Sequence, residues 1–233
     1  MIKAIVFDYD GTLSNRLYSA YKTYQVIVSM IFPELDVNSM EFEGIVQRIM
    51  TWDEYGSISK DHVFGMLNKY YKLDLDPKKW LNVWYDNFYL NQVLQDDCLE
   101  VLAKLKEKYK IGCLTNGPED TQKIKLEYTH VIDYFDAYLI SGAVGLHKPD
   151  VKLFEMIAEK LGVACDEIAF VGDTFYTDIL GAYRANMLPI WFFTDTHRVS
   201  DHDIKRIFSL KELLEIFKKE NLIKILLLNK LGY

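Results

Sequence analysis

Residues 5–13, IVFDYDGTL, follow three apolar residues with two aspartates separated by a single tyrosine, and then with Gly-Thr-Leu. In an extended segment residues i and i+2 project to the same side, so Asp8 and Asp10 begin as neighbours. Two carboxylates held together in a partly buried place repel one another strongly enough to demand a proton or a cation. The stretch therefore reads as a buried strand that delivers a metal-dependent site at its carboxyl end.

Composition limits what such a site can serve. The chain has 233 residues and is 50% hydrophobic, enough for one large domain or a core with a smaller insert. Its 27 basic and 34 acidic residues leave a net charge of −7 without a concentrated basic stripe, which argues against a nucleic acid polymer as partner. Cys98, Cys113 and Cys165 are an odd number with no C-x-x-C spacing and read as reduced packing residues. The opening MIKAIVFD reaches an aspartate before a signal-peptide apolar region is complete, and no window approaches the roughly 18 apolar residues of a membrane span. The expectation is a cytoplasmic protein with no membrane partner, either a monomer or a homodimer.

Outward from the opening stretch, short apolar runs alternate with helical patterns. KAIVFD, YKIGCLTNG, DAYLIS, EIAFVGD and LPIWFF read as strands buried on both faces. DDCLEVLAKLKEKY, PEDTQKIKLEY, DVKLFEMIAEKLG and YTDILGAYRAN carry apolar residues at spacings of three and four and read as helices. This alternation predicts an α/β fold: a Rossmann-like parallel sheet with helices on both faces. Residues 14–92 keep helical periodicity without a convincing strand and are dense in aromatic residues, so they read as an inserted helical domain. The predicted core is then 1–13 with 93–220, and 221–233 a terminal helical tail that packs on the body or makes a dimer contact.

In an open parallel sheet, ligands bind outside the carboxyl ends of the strands. There the sequence sets Asp8 and Asp10 after AIVF, Thr115 and Asn116 after IGCL, Lys148 after AVGLH, and Asp173 and Asp178 after IAFVG. Hard carboxylate oxygens suit Mg²⁺, which leaves several positions to water and phosphate oxygen. With its charge neutralised, Asp8 can attack phosphorus, and Asp10 can protonate the leaving oxygen and later deprotonate a water. Lys148, the Thr115 hydroxyl and loop N–H groups near Asn116 suit the equatorial phosphoryl oxygens.

The segments DYDGTL, LTNG, HKPD and GDTFYTDILGA, in this order, resemble the four motifs of the haloacid dehalogenase superfamily. The resemblance implies Asp8 as nucleophile, Asp10 as general acid/base, Thr115 and Lys148 as the phosphate-binding pair, and Asp173 as a further Mg²⁺ ligand. It also implies a metal contact from the Asp10 peptide carbonyl, with Asp178 supporting the metal shell. The insert is similar to the family's C1-type cap, which closes over substrate. The family's dehalogenases lack the second aspartate of the first motif, so Asp10 points instead to a phosphatase. The implied activity is Mg²⁺-dependent hydrolysis of a small phosphorylated metabolite, a nucleoside monophosphate or sugar phosphate, through an aspartyl-phosphate. A phosphomutase and a non-catalytic regulatory module are the alternatives.

Two departures stand out. Where many relatives follow DGTL with Asp-Ser, this chain has Ser14, Asn15 and Arg16; the arginine either contacts an anionic substrate or starts the linker to the insert. Asn186 stands where a glycine is usual, and Asn is the next most tolerant residue of a left-handed helix cap. Asp178 has a second reading as a helix N-terminal residue favoured by the dipole. His147 reads as an orienting or incidental neighbour of Lys148, since no other His or Cys stands at metal-ligand spacing. Tyr18, Tyr21, Trp52, Tyr55 and Trp84 are candidate substrate contacts, and their density leans the substrate toward a nucleotide base.

Overall fold

The computed structural model describes residues 1–193 and 200–218. The opening stretch forms β1, Ala4–Phe7, with all of its residues buried. It pairs in parallel with β2, Lys110–Thr115, on one edge and with β4, Ile168–Gly172, on the other. Adding β3, Ala137–Ile140, β5, Leu188–Phe192, and β6, Arg206–Ile207, gives the parallel order β3-β2-β1-β4-β5-β6. The chain builds outward from β1 in one direction and then crosses to begin again at β4. That reversal leaves a crevice beyond the carboxyl ends of β1 and β4, the usual ligand position of such sheets.

Alternation along β1 divides the core into two layers. Ile5 and Phe7 pack with α5 (Cys98–Lys106), α6 (Glu119–Tyr128) and α10 (Glu212–Ile216). Ala4 and Val6 face α8 (Val151–Leu161) and α9 (Leu180–Arg184). A strand covered on both faces needs apolar residues at every position, which is why IVF runs unbroken into Asp8. The short helix α7, Ser141–Val144, follows β3 directly.

Asn15–Val93 forms a second compact unit, set in the sequence between Met1–Ser14 and the chain from Leu94 onward. Its ends meet, with the Asn15 N–H donating to the Val93 carbonyl at 2.7 Å. Four helices build it: α1 Arg16–Ile31, α2 Met40–Asp53, α3 Lys60–Tyr71 and α4 Pro77–Phe88. Their starts are written locally. The side chains of Asn15, Ser39 and Asp76 accept backbone N–H groups of α1, α2 and α4, and Pro77 opens α4. Tyr24, Phe42, Phe64, Trp84 and Phe88 are buried at its centre.

This apolar centre contains one charged cluster. Asp53, 1% exposed, accepts from the Tyr24 hydroxyl at 2.7 Å and the Arg16 guanidinium at 3.2 Å, and it pairs with Lys60. Burial pushes the Asp53 carboxyl up, but Arg16 and Lys60 outweigh it and hold the group below the usual carboxylate range. Arg16 thus begins α1 and ties α1 to α2 within this unit.

All five strands read from the sequence are present, and β6 is an additional edge strand of two residues. YTDILGAYRAN, read as one helix, is instead a wide π-type turn, Phe175–Ile179, followed by α9. Asn186 takes the left-handed conformation, φ 60°. The helical tail expected at 221–233 lies outside the described residues. Among the described residues, no helix is long and apolar enough to cross a membrane.

Replacing Asp53 with alanine leaves buried Lys60 and half-buried Arg16 without their counter-charge. Breaking such a cluster from one side typically costs about 3–5 kcal/mol. Asp53→Ala is expected to lower the urea midpoint accordingly; a loss below about 1 kcal/mol would show that the cluster does not anchor the unit.

Candidate active site

Phe7 pairs with Cys113 on one side and Val171 on the other. Asp8, Thr115 and Asp173 therefore leave the sheet within two residues of a common register, although far apart in sequence. The Asp8 N–H still donates to the Val171 carbonyl at 2.9 Å, which holds the residue in line with its strand.

Carboxylate oxygens of Asp8, Asp173 and Asp178 lie within 4.8 Å of one another. Lys148 sits against them, with its ammonium 2.7 Å from Asp8 Oδ1, 2.7 Å from Asp178 Oδ1 and 3.0 Å from the Leu114 carbonyl. An ammonium has three donors, and these three acceptors engage them all. Lys148 is only 4% exposed, and the two adjacent carboxylates push its pKa up against the opposing effect of burial. Burial also raises the carboxyl of Asp8, to about 8, with Asp178 and Asp173 adding to the shift and Lys148 opposing it. Three carboxylates, two buried and one half-buried, set against one ammonium offer hard oxygen donors in excess of their counter-charge, which fits a divalent cation.

Local features admit this crowding. A side chain at Gly172 would collide with the Asp178 side chain, and one at Gly11, φ +92°, would meet the Asp173 carboxylate at 2.7 Å. The wide turn returns Asp178 toward the end of β4, where its Oδ2 accepts the Thr174 N–H at 3.0 Å. Such π-type turns are frequent at functional sites. The Trp191 indole N–H holds the Asp173 carbonyl at 2.8 Å.

Asn116 braces Lys148 through the backbone. Its Oδ1 accepts the Lys148 N–H at 2.9 Å, and its Nδ2 donates to the Lys148 carbonyl at 3.2 Å. Thr115, 1% exposed, accepts from Gln122 Nε2 at 2.7 Å, so its own hydroxyl proton remains for another acceptor. His147 Nδ1 lies 3.1 Å from Ser141 Oγ, which accepts the Gly117 N–H at 3.0 Å. The histidine thus supports the loop after β2.

The Asp10 side chain turns elsewhere. Its Oδ2 accepts from Gln122 Nε2 at 2.9 Å and Lys125 Nζ at 2.5 Å. The structure thus gathers Asp8, Asp173, Asp178 and Lys148 into one charge cluster, links Thr115 to Asp10 through Gln122, and uses the Asn116 side chain to hold Lys148. Gln122 and Lys125 lie outside the motifs that the sequence analysis singles out. Their i, i+3 spacing on the helix that opens after LTNG, in a position that buries that face, was the available signal.

Residues 2–186 match the family model of haloacid dehalogenase-like hydrolases. The glyceraldehyde 3-phosphate phosphatase of Methanopyrus kandleri is 30% identical over 231 residues, spanning 94% of this chain and 98% of that protein. Pyrimidine 5'-nucleotidase YjjG of Escherichia coli is 34% identical over 119 residues, 51% of this chain and 52% of its own length. Among solved structures, the magnesium-bound HAD-hydrolase YfnB of Bacillus subtilis shares the fold with a TM-score of 0.75 at 21% identity, covering 93% of this chain and 99% of that one.

The raised Asp8 carboxyl gives cation binding a definite pH dependence. With its folded-state pKa about 8 against an ordinary 3.8, Asp8 keeps a proton in the folded state that the unfolded chain has released. The stability this confers is fully present below about pH 4 and is lost as pH rises through 8. A cation competes with that proton, so Mg²⁺ should raise the Tm of metal-stripped protein more at pH 8 than at pH 5. At a hundredfold excess over Kd the rise should be about 5–10 °C. A shift that is flat with pH, or that survives Asp173→Asn, would exclude these ligands.

Proposed function

The chain belongs to the haloacid dehalogenase-like hydrolases and is a phosphatase, and from that premise we propose that it hydrolyses small alkyl phosphomonoesters, glyceraldehyde 3-phosphate first among them, with Mg²⁺ as cofactor and Asp8 as nucleophile. The observation that carries this reading is the convergence of Asp8, Asp173 and Asp178 beyond the ends of β1 and β4, with Lys148 paired to Asp8 and Asp178. Asp8 and Asp173, the peptide carbonyl of Asp10 and, in support, Asp178 would hold the cation. When bound, it would neutralise enough negative charge for an anionic carboxylate to approach a phosphate dianion.

Asp8 then attacks phosphorus, the bond from phosphorus to the ester oxygen breaks, and that oxygen leaves as the alcohol with a proton from Asp10. Asp10, now a carboxylate, takes a proton from water as the water oxygen attacks the aspartyl-phosphate. Phosphate departs and Asp8 is restored. Ester and water thus become alcohol and phosphate, with the Asp10 proton returned. Thr115 donates to one phosphoryl oxygen, and Lys148 exchanges one of its present acceptors for another. We assign Asn15–Val93 the role of the cap.

The extent of the likeness supports this choice of substrate class. The triose phosphate phosphatase matches nearly the whole chain, whereas the nucleotidase matches about half. The aromatic density that leaned toward a nucleotide is largely packing: Tyr24 and Trp84 are buried with ring centroids 4.5 Å apart, and Trp84 stacks on Phe88 at 4.8 Å. Tyr18 and Tyr55 are the more exposed candidates.

Phosphate release from a panel of glyceraldehyde 3-phosphate, ribose 5-phosphate, uridine monophosphate and p-nitrophenyl phosphate, with Mg²⁺ and with EDTA, tests the reading. Release should require the metal and favour the triose phosphate. Asp8→Asn should lower kcat more than about a thousandfold while the fold persists. Preference for the nucleotide would overturn the substrate assignment, and isomerised sugar phosphate in place of free phosphate would make the protein a mutase.

A further inference from the structure

Asp10 is held by an arrangement that its proposed proton transfer alone does not explain. Both of its described donors, Gln122 Nε2 at 2.9 Å and Lys125 Nζ at 2.5 Å, converge on the same oxygen, Oδ2. Gln122 is 3% exposed and Lys125 5%. Burying a lysine is costly without a directed partner, so this one is placed for its ion pair. The Tyr9 ring lies 5.4 Å from the same ammonium, and the Tyr9 hydroxyl is 3.3 Å from Thr129 Oγ1. Gln122, Lys125 and Thr129, at i, i+3 and i+7, form one polar stripe along α6 and its end, laid against Tyr9 and Asp10.

We propose that Gln122 and Lys125 are positioning residues that lock the rotation of the Asp10 carboxylate, committing Oδ2 to the scaffold and Oδ1 to proton transfer. The proposal rests on the reading of Asp10 as the acid/base. The last torsion of an aspartate is broad, without sharp staggered minima, so a carboxylate that must meet a leaving oxygen and then a water from one direction needs an external lock. Two donors on one oxygen supply it. Gln122 Nε2 also lies 2.7 Å from Thr115 Oγ1 and 3.0 Å from the Asn116 carbonyl, which ties the acid/base to the loop expected to hold the phosphoryl group. A displacement of about 1 Å between such groups costs on the order of a hundredfold in rate.

The test compares leaving groups. An alkoxide must be protonated as it departs, whereas p-nitrophenolate leaves readily without a proton. Lys125→Met and Gln122→Met are expected to lower kcat/KM for glyceraldehyde 3-phosphate, which reads the phosphorylation of Asp8 and not the later hydrolysis shared by all esters, by roughly ten- to a hundredfold. Their loss of kcat/KM on p-nitrophenyl phosphate should be at least about tenfold smaller, and Lys125→Arg should recover most of the alkyl-ester value. Gln122→Met removes a donor without leaving a buried charge, so it keeps the test valid should Lys125→Met fail to fold. Equal losses of kcat/KM on both esters, or no loss, would overturn the proposal. Asp10→Asn separates the two levels. If it discriminates between the esters and the clamp variants do not, the clamp alone fails; if it does not discriminate, the acid/base reading fails with it.

Discussion

Like charge crowded into a buried place is the constraint on which the site depends. Asp8, Asp173 and Asp178 bring carboxylate oxygens within 4.8 Å of one another, an arrangement water would not favour and a protein interior penalises more. The ammonium of Lys148 offsets part of the repulsion, and a divalent cation suits the remainder. The surrounding structure accommodates this: Gly172 admits the Asp178 side chain, the wide turn after β4 returns it, and Asn116 holds the Lys148 backbone on both its N–H and its carbonyl. The sheet supplies the rest, because parallel strands in register end together and aim residues 8, 115 and 173 into one crevice.

A second layer of organisation lies on α6. The helix that follows the β2 loop presents Gln122 and Lys125 to Asp10 and Thr115, joining the expected acid/base to the expected phosphate loop by hydrogen bonds rather than chain continuity. Both residues belong to a helix whose Leu126 packs in the core, so the clamp inherits the rigidity of the sheet. The helical unit carries a charged centre of a different kind, since Asp53 draws Arg16 and Lys60 inward and locks helices together. Arg16 thereby has a structural partner within the helical unit, which favours the structural one of its two readings over a substrate contact.

The sequence alone carried the fold class and the strand ends. A two-sided buried strand must be apolar throughout and can turn polar only where it stops, so IVF-Asp, GCLT and FVG-Asp announce both their burial and their carboxyl ends. It also carried the residue types of the site, because carboxylates and a hydroxyl at three such ends, with an ammonium in the loop after α7, have few other uses. Helix starts were equally local, written in Asn15, Ser39 and Asp76. What periodicity could not give was β6, too short to have a period, or the wide turn over Phe175–Ile179, whose apolar spacing mimics a helix while Asp178 bonds back to Thr174.

Only the tertiary structure decided which of those polar groups face one another. The sequence reads Asp8 and Asp10 as neighbours on one side of an extended segment, yet the strand ends at Phe7 and the chain turns at Tyr9, so that one joins Lys148 and the other Lys125. Asp178, ambiguous in sequence between a helix-dipole residue and a site residue, becomes a partner of Lys148. No motif in the sequence assigns Gln122 and Lys125 to Asp10, and of the aromatic residues named as candidate substrate contacts Trp84 is buried packing. The physical reason is common to all of them. A side chain's chemistry is fixed by its type, but its partner is fixed by which faces the packed elements turn toward each other, and that depends on contacts between segments well separated in the chain.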